Sequence, residues 1–211
     1  MKNIFYIILM ISTLFFLQAC SEDEEVATTA ASQTMTDSAG ATVSLDGTYT
    51  LKCNGSSSFQ KPETVLSATN YTLTWPAFSD SDCDNATYTN ITTATFAVGS
   101  ATTTSGSDNS SKNDVAVTKI EAKLQSIGIT LLDDTMVTQW NDSSVYGFTD
   151  WVNGTAKSLL GLNGDGTTDN ESVVDAARYD IWYISGTSFQ QGGGDVDVTK
   201  AYPTELDYSS I

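Results

Sequence analysis

The 211-residue chain contains no histidine. Nucleophile pairs of the Ser-His and Cys-His type are therefore excluded. Basic residues are scarce too: nine Lys and Arg stand against 26 Asp and Glu, a formal charge of −17. A polyanion of this size repels phosphate backbones, so nucleic acid is not an expected partner. It also repels anionic lipid headgroups, which argues against membrane contact through a basic patch. No segment recurs at the 20-to-50-residue period of solenoids and propellers. Cysteine is limited to three residues, Cys20, Cys53 and Cys83.

What is present begins with a leader. Lys2 precedes an apolar run from Ile4 to Leu17, which is shorter than the roughly 20 residues of a membrane-spanning helix. A basic start, an apolar centre and small residues at a cut site are the layout of a secretory signal over residues 1–19. Leu17-Gln18-Ala19-Cys20 resembles the lipobox of bacterial lipoproteins. That resemblance implies diacylglycerol on the Cys20 thiol, cleavage before it, and a palmitate-type chain on the new amine. Two or three chains on one residue make a stable anchor, each buried CH₂ contributing about 0.8 kcal/mol. The residue after the cysteine is Ser21 rather than aspartate, which leans the expected location from the bacterial cell envelope at large toward the outer membrane. After cleavage, eight basic residues face 26 acidic ones, a charge of −18. Residues 20–44 carry the acidic run Glu22-Asp23-Glu24-Glu25 and then mostly Ala, Thr and Ser. Such a stretch has too little apolar surface to offset its ordering entropy, so it is expected to be a flexible tether.

With Cys20 lipidated, Cys53 and Cys83 remain. In an exported protein two leftover cysteines pair as a disulfide by default. A redox or zinc pair lacks the C-x-x-C spacing and the histidine it would use. Eight Asn-x-Ser/Thr triplets, from Asn54 to Asn170, are discounted as glycosylation sites in a bacterial chain this rich in Asn, Ser and Thr.

The remainder, residues 45–211, reads as one domain of ordinary size. Gly47–Cys53 alternates, with Tyr49, Leu51 and Cys53 on one face. Tyr71–Trp75 alternates likewise, as do Ala94, Phe96 and Val98 within Tyr88–Val98. Ile120, Ala122 and Leu124 form another set, followed by Ile127, Ile129 and Leu131, and Tyr179–Ile184 is a run of large residues. Alternation of this kind marks half-buried antiparallel strands. Polar connections separate them, among them Gly99–Asp114. One short helix is expected over Asp133–Asn141, capped by Asp133 or Asp134. Thr149–Leu160 has apolar residues at helical spacing, but Asn153-Gly154 inside it is a turn signal. The fold class is therefore all-β: an antiparallel barrel or half-barrel with one short helix.

Leu45-Asp46-Gly47-Thr48-Tyr49, then Cys53, an alternating aromatic strand, Phe78-Ser79-Asp80-Ser81-Asp82-Cys83 and Tyr88 together resemble the adenomatosis-polyposis-coli-down-regulated family domain. That domain occurs in a vertebrate Wnt inhibitor and, as similar modules, in bacterial lipoproteins. Gly147-Phe148-Thr149-Asp150-Trp151, Tyr179-Asp180-Ile181-Trp182 and Pro203-Thr204-Glu205-Leu206-Asp207 look like segments of bacterial lipoproteins of the same kind. The resemblance implies a lipocalin-like barrel with room for a lipid chain. Tyr49 stands where lipocalin-type domains prefer tryptophan.

Three kinds of site follow. Tyr71, Leu73, Trp75 and Trp182 are candidate walls of a ligand cavity, although aromatics at strand spacing equally build a closed core. Asn163-Gly164-Asp165-Gly166-Thr167-Thr168-Asp169 resembles part of a calcium loop, with Asn163, Asp165, the Thr167 carbonyl and Asp169 as ligands. Gly161 and Ser172 stand where that loop needs two further ligands, so an ordinary Gly/Asp turn competes with it. Carboxylate pairs that glycoside hydrolysis would use, such as Asp133-Asp134 or Asp80 with Asp82, equally fit caps and turns. The expected function is non-enzymatic, with no cofactor: binding of an apolar small molecule or lipid by a membrane-anchored barrel. The competing expectation is a filled barrel that recognises protein or glycan through its loops.

Overall fold

A computed structural model of the chain describes residues 31–37, 39–55, 58–104, 115–185, 188–193, 202–203 and 205–206. The expected signal segment, residues 1–19, and Cys20 lie outside these residues.

Thirteen strands and one α-helix are described. Seven strands form the main path of one antiparallel sheet: β3 (Gly47–Thr50), β5 (Glu63–Ser67), β6 (Asn70–Phe78), β7 (Ala86–Thr104), β8 (Val115–Leu131), β10 (Ala177–Ser185) and β11 (Ser188–Gln190). Their spatial order is β11-β10-β8-β7-β6-β5-β3. The edge strands β3 and β11 are not paired with each other, yet the Tyr49 ring on β3 lies 5.0 Å from the Phe189 ring on β11. The sheet is thus curled into a nearly closed barrel whose seam is joined by side chains. Tyr49 contributes to that seam.

Pleating decides what faces inward. Leu66, Tyr71 and Ala94 are mutually opposed across β5, β6 and β7, and all three are buried. One register further along β6, Leu73 opposes Thr64 and Thr92; the next residue on the same face, Trp75, opposes Asn90. On β7 and β8 the inward set is Tyr88, Asn90, Thr92, Ala94, Phe96 and Val98 against Leu131, Ile129, Ile127, Leu124, Ala122 and Ile120. A bulge sits between Thr93 and Ala94, where Gln125 is the extra residue on β8. It switches the inward positions of β8 from even to odd numbers while keeping the apolar face toward the core.

One end of the barrel is filled. Met35, Leu45, Leu66, Tyr71, Phe96, Ile120, Trp182, Ile184 and Phe189 form its main cluster. Met35 belongs to a hairpin of β1 (Thr34–Thr36) and β2 (Thr42–Ser44). That hairpin falls within residues 20–44, where a flexible tether is expected. The ordered domain therefore starts ahead of Leu45, because Met35 supplies a large apolar group that the spacer composition conceals.

The connections differ from expectation in one more place. Gly99–Thr104 continues β7 rather than opening a polar loop, since the β-branched Thr102–Thr104 pair with Val117, Ala116 and Val115. The helix α1 (Asp134–Asp142) is where the sequence places it, and Asp133 caps it by accepting the Met136 N–H at 2.8 Å. Thr149–Leu160 is not helical: Trp151 is buried, Gly154 has φ 73°, and β9 (Ala156–Ser158) pairs with β8. The short strands β4 (Phe59–Gln60), on β6, and β12 (Gly192–Gly193) with β13 (Glu205–Leu206) complete the fold. Leu206 packs with Val117 and Ile181 on the outer face of the sheet.

Candidate functional site

The filled cluster ends at Tyr71, and the next inward residues of β6 open onto a groove. Leu73 and Trp75 line two cavities, one of about 520 Å³ and one of about 500 Å³. Volumes of this size are those of small-molecule sites. The upper cavity lies beside the seam, between Tyr49, Leu51, Cys53, Gln60 and Phe189. The lower one lies between the sheet and the segment that follows it: Tyr88 and Ile129 on the strands face Trp140 of α1, Tyr146 and Gly164. Trp75 is 37 % exposed, an unusual state for a tryptophan on an inward strand face, and it belongs to both cavities.

The four candidate wall residues therefore separate into two pairs. Leu73 and Trp75 line the groove. Tyr71 and Trp182 sit in the closed core, 8 % and 2 % exposed, with ring centroids 5.8 Å apart. The difference is one of depth along the strand: Trp182 lies opposite Thr118 and packs against Phe96 and Phe189, filling the end that Trp75 leaves open.

The lower wall is built by a cluster of rings. Trp140 stacks at 5.1 Å on the edge of Trp151, which Asn141 fixes: its Nδ2 donates to the Trp151 carbonyl (3.0 Å) and its Oδ1 accepts the Trp151 N–H (2.6 Å). Tyr146 and Tyr88 flank Trp140 at 6.1 and 6.0 Å. Tyr146 is held at φ 53°, a left-handed conformation that costs a non-glycine residue on the order of 1–3 kcal/mol. Its N–H donates to the Gly164 carbonyl at 2.9 Å. A Cβ on Gly166 would lie 2.6 Å from the Gly147 backbone, so two glycines allow the 163–169 loop to press against this turn.

The calcium-like segment makes that contact. Asp165 Oδ1 accepts the Thr167 N–H (3.0 Å) and hydroxyl, Asp169 accepts the Glu171 N–H (2.8 Å), and Asn163 Nδ2 donates to Thr167 and Thr168. The Asp165 and Asp169 bonds to N–H groups two residues on are Asx turns; the Thr167 hydroxyl and N–H hold the Asp165 carboxyl below the usual range, and the Ser172 side chain with the Glu171 N–H does the same for Asp169. Among the described residues no cluster of three acidic or cysteine side chains converges on a metal position. The loop buttresses Tyr146. Of the other acidic pairs, Asp133 caps α1, and Asp80 accepts the N–H groups of Asp82, Asp84 and Asn85. Cys53 and Cys83 are joined as a disulfide.

No protein-family model matches the chain, and no curated protein matches it significantly. The site must therefore be read from its own chemistry.

One buried charge needs an account. Asp180 is 8 % exposed in the filled core. Burial pushes its pKa up to about 6, against the N–H groups of Gly192 (2.9 Å) and Ile181 (2.7 Å) and the Trp182 indole (2.8 Å), which favour the ionised form. Because the folded pKa exceeds the unfolded one, the folded state holds its proton longer. Its contribution to stability is full below pH about 4 and is lost as pH rises through about 6, by about 3 kcal/mol. The expected result is a falling difference in urea-unfolding free energy between the wild type and Asp180→Asn from pH 4 to pH 7. The difference isolates this group from the exposed carboxylates, whose lowered pKa values act in the opposite direction. A flat difference would mean that Asp180 is not buried as described.

Proposed function

We propose that the protein is an exported bacterial lipoprotein, anchored through Cys20, whose nearly closed barrel binds an apolar small molecule or lipid chain in the groove across Leu73 and Trp75. The observation that carries this reading is Trp75. It is an inward-facing tryptophan with over a third of its surface uncovered, at the junction of two cavities of ligand size. Burying that surface supplies about 25 cal/mol per Å² to whatever covers it. The nearly closed all-β architecture and the Cys53–Cys83 bridge agree with the lipid-holding domain that the sequence resembles. The lipobox-like Leu17–Cys20 supports the anchor.

The test is native mass spectrometry of the soluble chain from Ser21 to Ile211, exported to an oxidising compartment. A co-purifying mass that denaturation releases is expected, together with quenching or a blue shift of tryptophan fluorescence on addition of an apolar dye. Trp75→Ala is expected to weaken binding at least tenfold while changing stability by under about 1 kcal/mol, because the side chain is not fully packed. A bare mass, unchanged after incubation with lipid extract, would overturn the groove reading and turn attention to the loops as an interaction surface. The anchor has its own test. In the full-length chain, Cys20→Ser is expected to abolish incorporation of labelled palmitate and to release the protein from the membrane fraction. Retention of both would exclude Cys20 as the anchor.

A further inference from the structure

The two cavities differ in chemistry. The upper one mixes apolar side chains with Lys52, Gln60 and Gln191. The lower one has four aromatic walls, Trp75, Tyr88, Trp140 and Tyr146, and none of the residues lining it is charged. An aromatic ring carries a negative face, and a cation within about 6 Å of a ring centroid is attracted to that face.

Three further observations point to a cation as the occupant. The chain as a whole carries −17, so its field attracts positive solutes and repels anions. The same ring cluster already borders a cation elsewhere: Lys157 Nζ, ion-paired with Asp150 at 2.8 Å, lies 4.7 Å from the Phe148 centroid and 5.7 Å from that of Trp151, the ring on which Trp140 rests. Finally, Tyr146 keeps its place through a left-handed backbone and a dedicated glycine contact, which mere closure of a core would not require. A space lined by rings without a carboxylate suits an ammonium that has no N–H to satisfy. A primary ammonium would exchange its water there for neutral acceptors alone, such as Asn90 and Thr92, with no carboxylate to pair its charge.

We infer that the lower cavity is an aromatic cage for a quaternary ammonium group. This rests on the groove reading above in one respect only, that Trp75 is a wall of the site. The group is free in a small solute such as choline or forms the head of a zwitterionic amphiphile, whose chain then runs past Leu73 into the upper cavity.

The soluble chain from Ser21 to Ile211 is titrated, by calorimetry and tryptophan fluorescence, with choline and with its neutral isostere 3,3-dimethylbutan-1-ol. Saturable choline binding is expected, with the isostere at least tenfold weaker. Tyr146→Leu and Tyr88→Leu are each expected to weaken choline about five- to thirtyfold, as loss of one ring face predicts. Tyr146→Phe and Tyr88→Phe, which keep the ring, should bind within about twofold of the wild type, so a general loss of fold is told apart from loss of the cage. Equal affinity for the isostere or a neutral hexose, or unchanged choline binding in both leucine variants, would overturn the cage. A short-chain phosphocholine ester separates the sources. Binding at least tenfold tighter than choline assigns the site to a lipid head, and equal binding assigns it to a free solute; the cage stands in both. Apolar-dye binding without choline binding overturns the cage and leaves the groove, while choline binding without dye binding does the reverse.

Discussion

Replacing Trp182 with alanine is expected to destabilise the domain by about 3–5 kcal/mol, the range for a large aromatic removed from a packed core. The side chain is 2 % exposed and has ring centroids of Phe96, Phe189 and Tyr71 at 5.0, 5.1 and 5.8 Å. Nothing beside it is free to collapse into the vacated space. Phe189 is held at the seam by Tyr49, and the Tyr71 hydroxyl accepts from Gln191 Nε2 at 3.2 Å. The indole also donates to Asp180 Oδ2, so truncation leaves a buried carboxylate with one donor fewer. In urea, with a slope of about 2 kcal/mol per molar, the midpoint should fall by about 2 M.

Trp182→Phe separates the two contributions. It restores most of the ring volume but not the N–H, so its loss is expected to be smaller, about 1–3 kcal/mol. Asp180 then has less support for its charge, and the pH window over which stability declines should extend upward from about 6. A Trp182→Ala loss below about 1.5 kcal/mol would show that this end of the barrel is loosely filled. It would also put Tyr71 and Trp182 back among the wall residues.

The rule of alternation identified the inward faces of β3, β6, β7 and β8 from the sequence, because each shows a period of two, whereas β10, buried on both sides, reads only as a run of large residues. It marks Ile120-Ala122-Leu124 and Ile127-Ile129-Leu131 as two sets, while the bulge that joins them on one strand appears only in the pairing. It could not tell Trp75 from Trp182. Both are tryptophans on inward strand faces, and only the packing of non-local elements determines which one is covered. The turn between β5 and β6 was hidden for another reason. Ala68 and Thr69 are poor turn signals, and Ala68 at φ 53° has its N–H bound by Asp46, 22 residues earlier. Local pattern does not single out Trp140 and Tyr146 as lining a cavity, although four aromatics crowd Trp140–Trp151. Their convergence with Tyr88 depends on α1 folding back over the sheet, a long-range event that local pattern does not record.

Removal of the disulfide is expected to have the second large effect. Cys53 and Cys83 lie 30 residues apart, and the loop they close contains β4, β5 and β6. Cross-linking a loop of this length is worth about 3–4 kcal/mol on the chain-entropy model. Native geometry already favours the pairing: the Cα atoms are 5.9 Å apart, and Asp80 organises the turn that presents Cys83 by accepting three N–H groups. Cys53→Ala with Cys83→Ala should therefore lower the unfolding free energy by that amount with little change to the folded sheet. Reduction of the wild type should give the same shift. The consequence for binding is unequal. Cys53 belongs to the upper cavity, next to Leu51 and Asn54, whereas the lower cavity takes its walls from β6, β7, β8, α1 and the Tyr146 turn. Loosening residues 51–55 should weaken an apolar ligand in the upper cavity several-fold and leave a ligand confined to the ring cluster within about twofold. Equal weakening at both would mean that the groove acts as one site whose shape the disulfide maintains throughout.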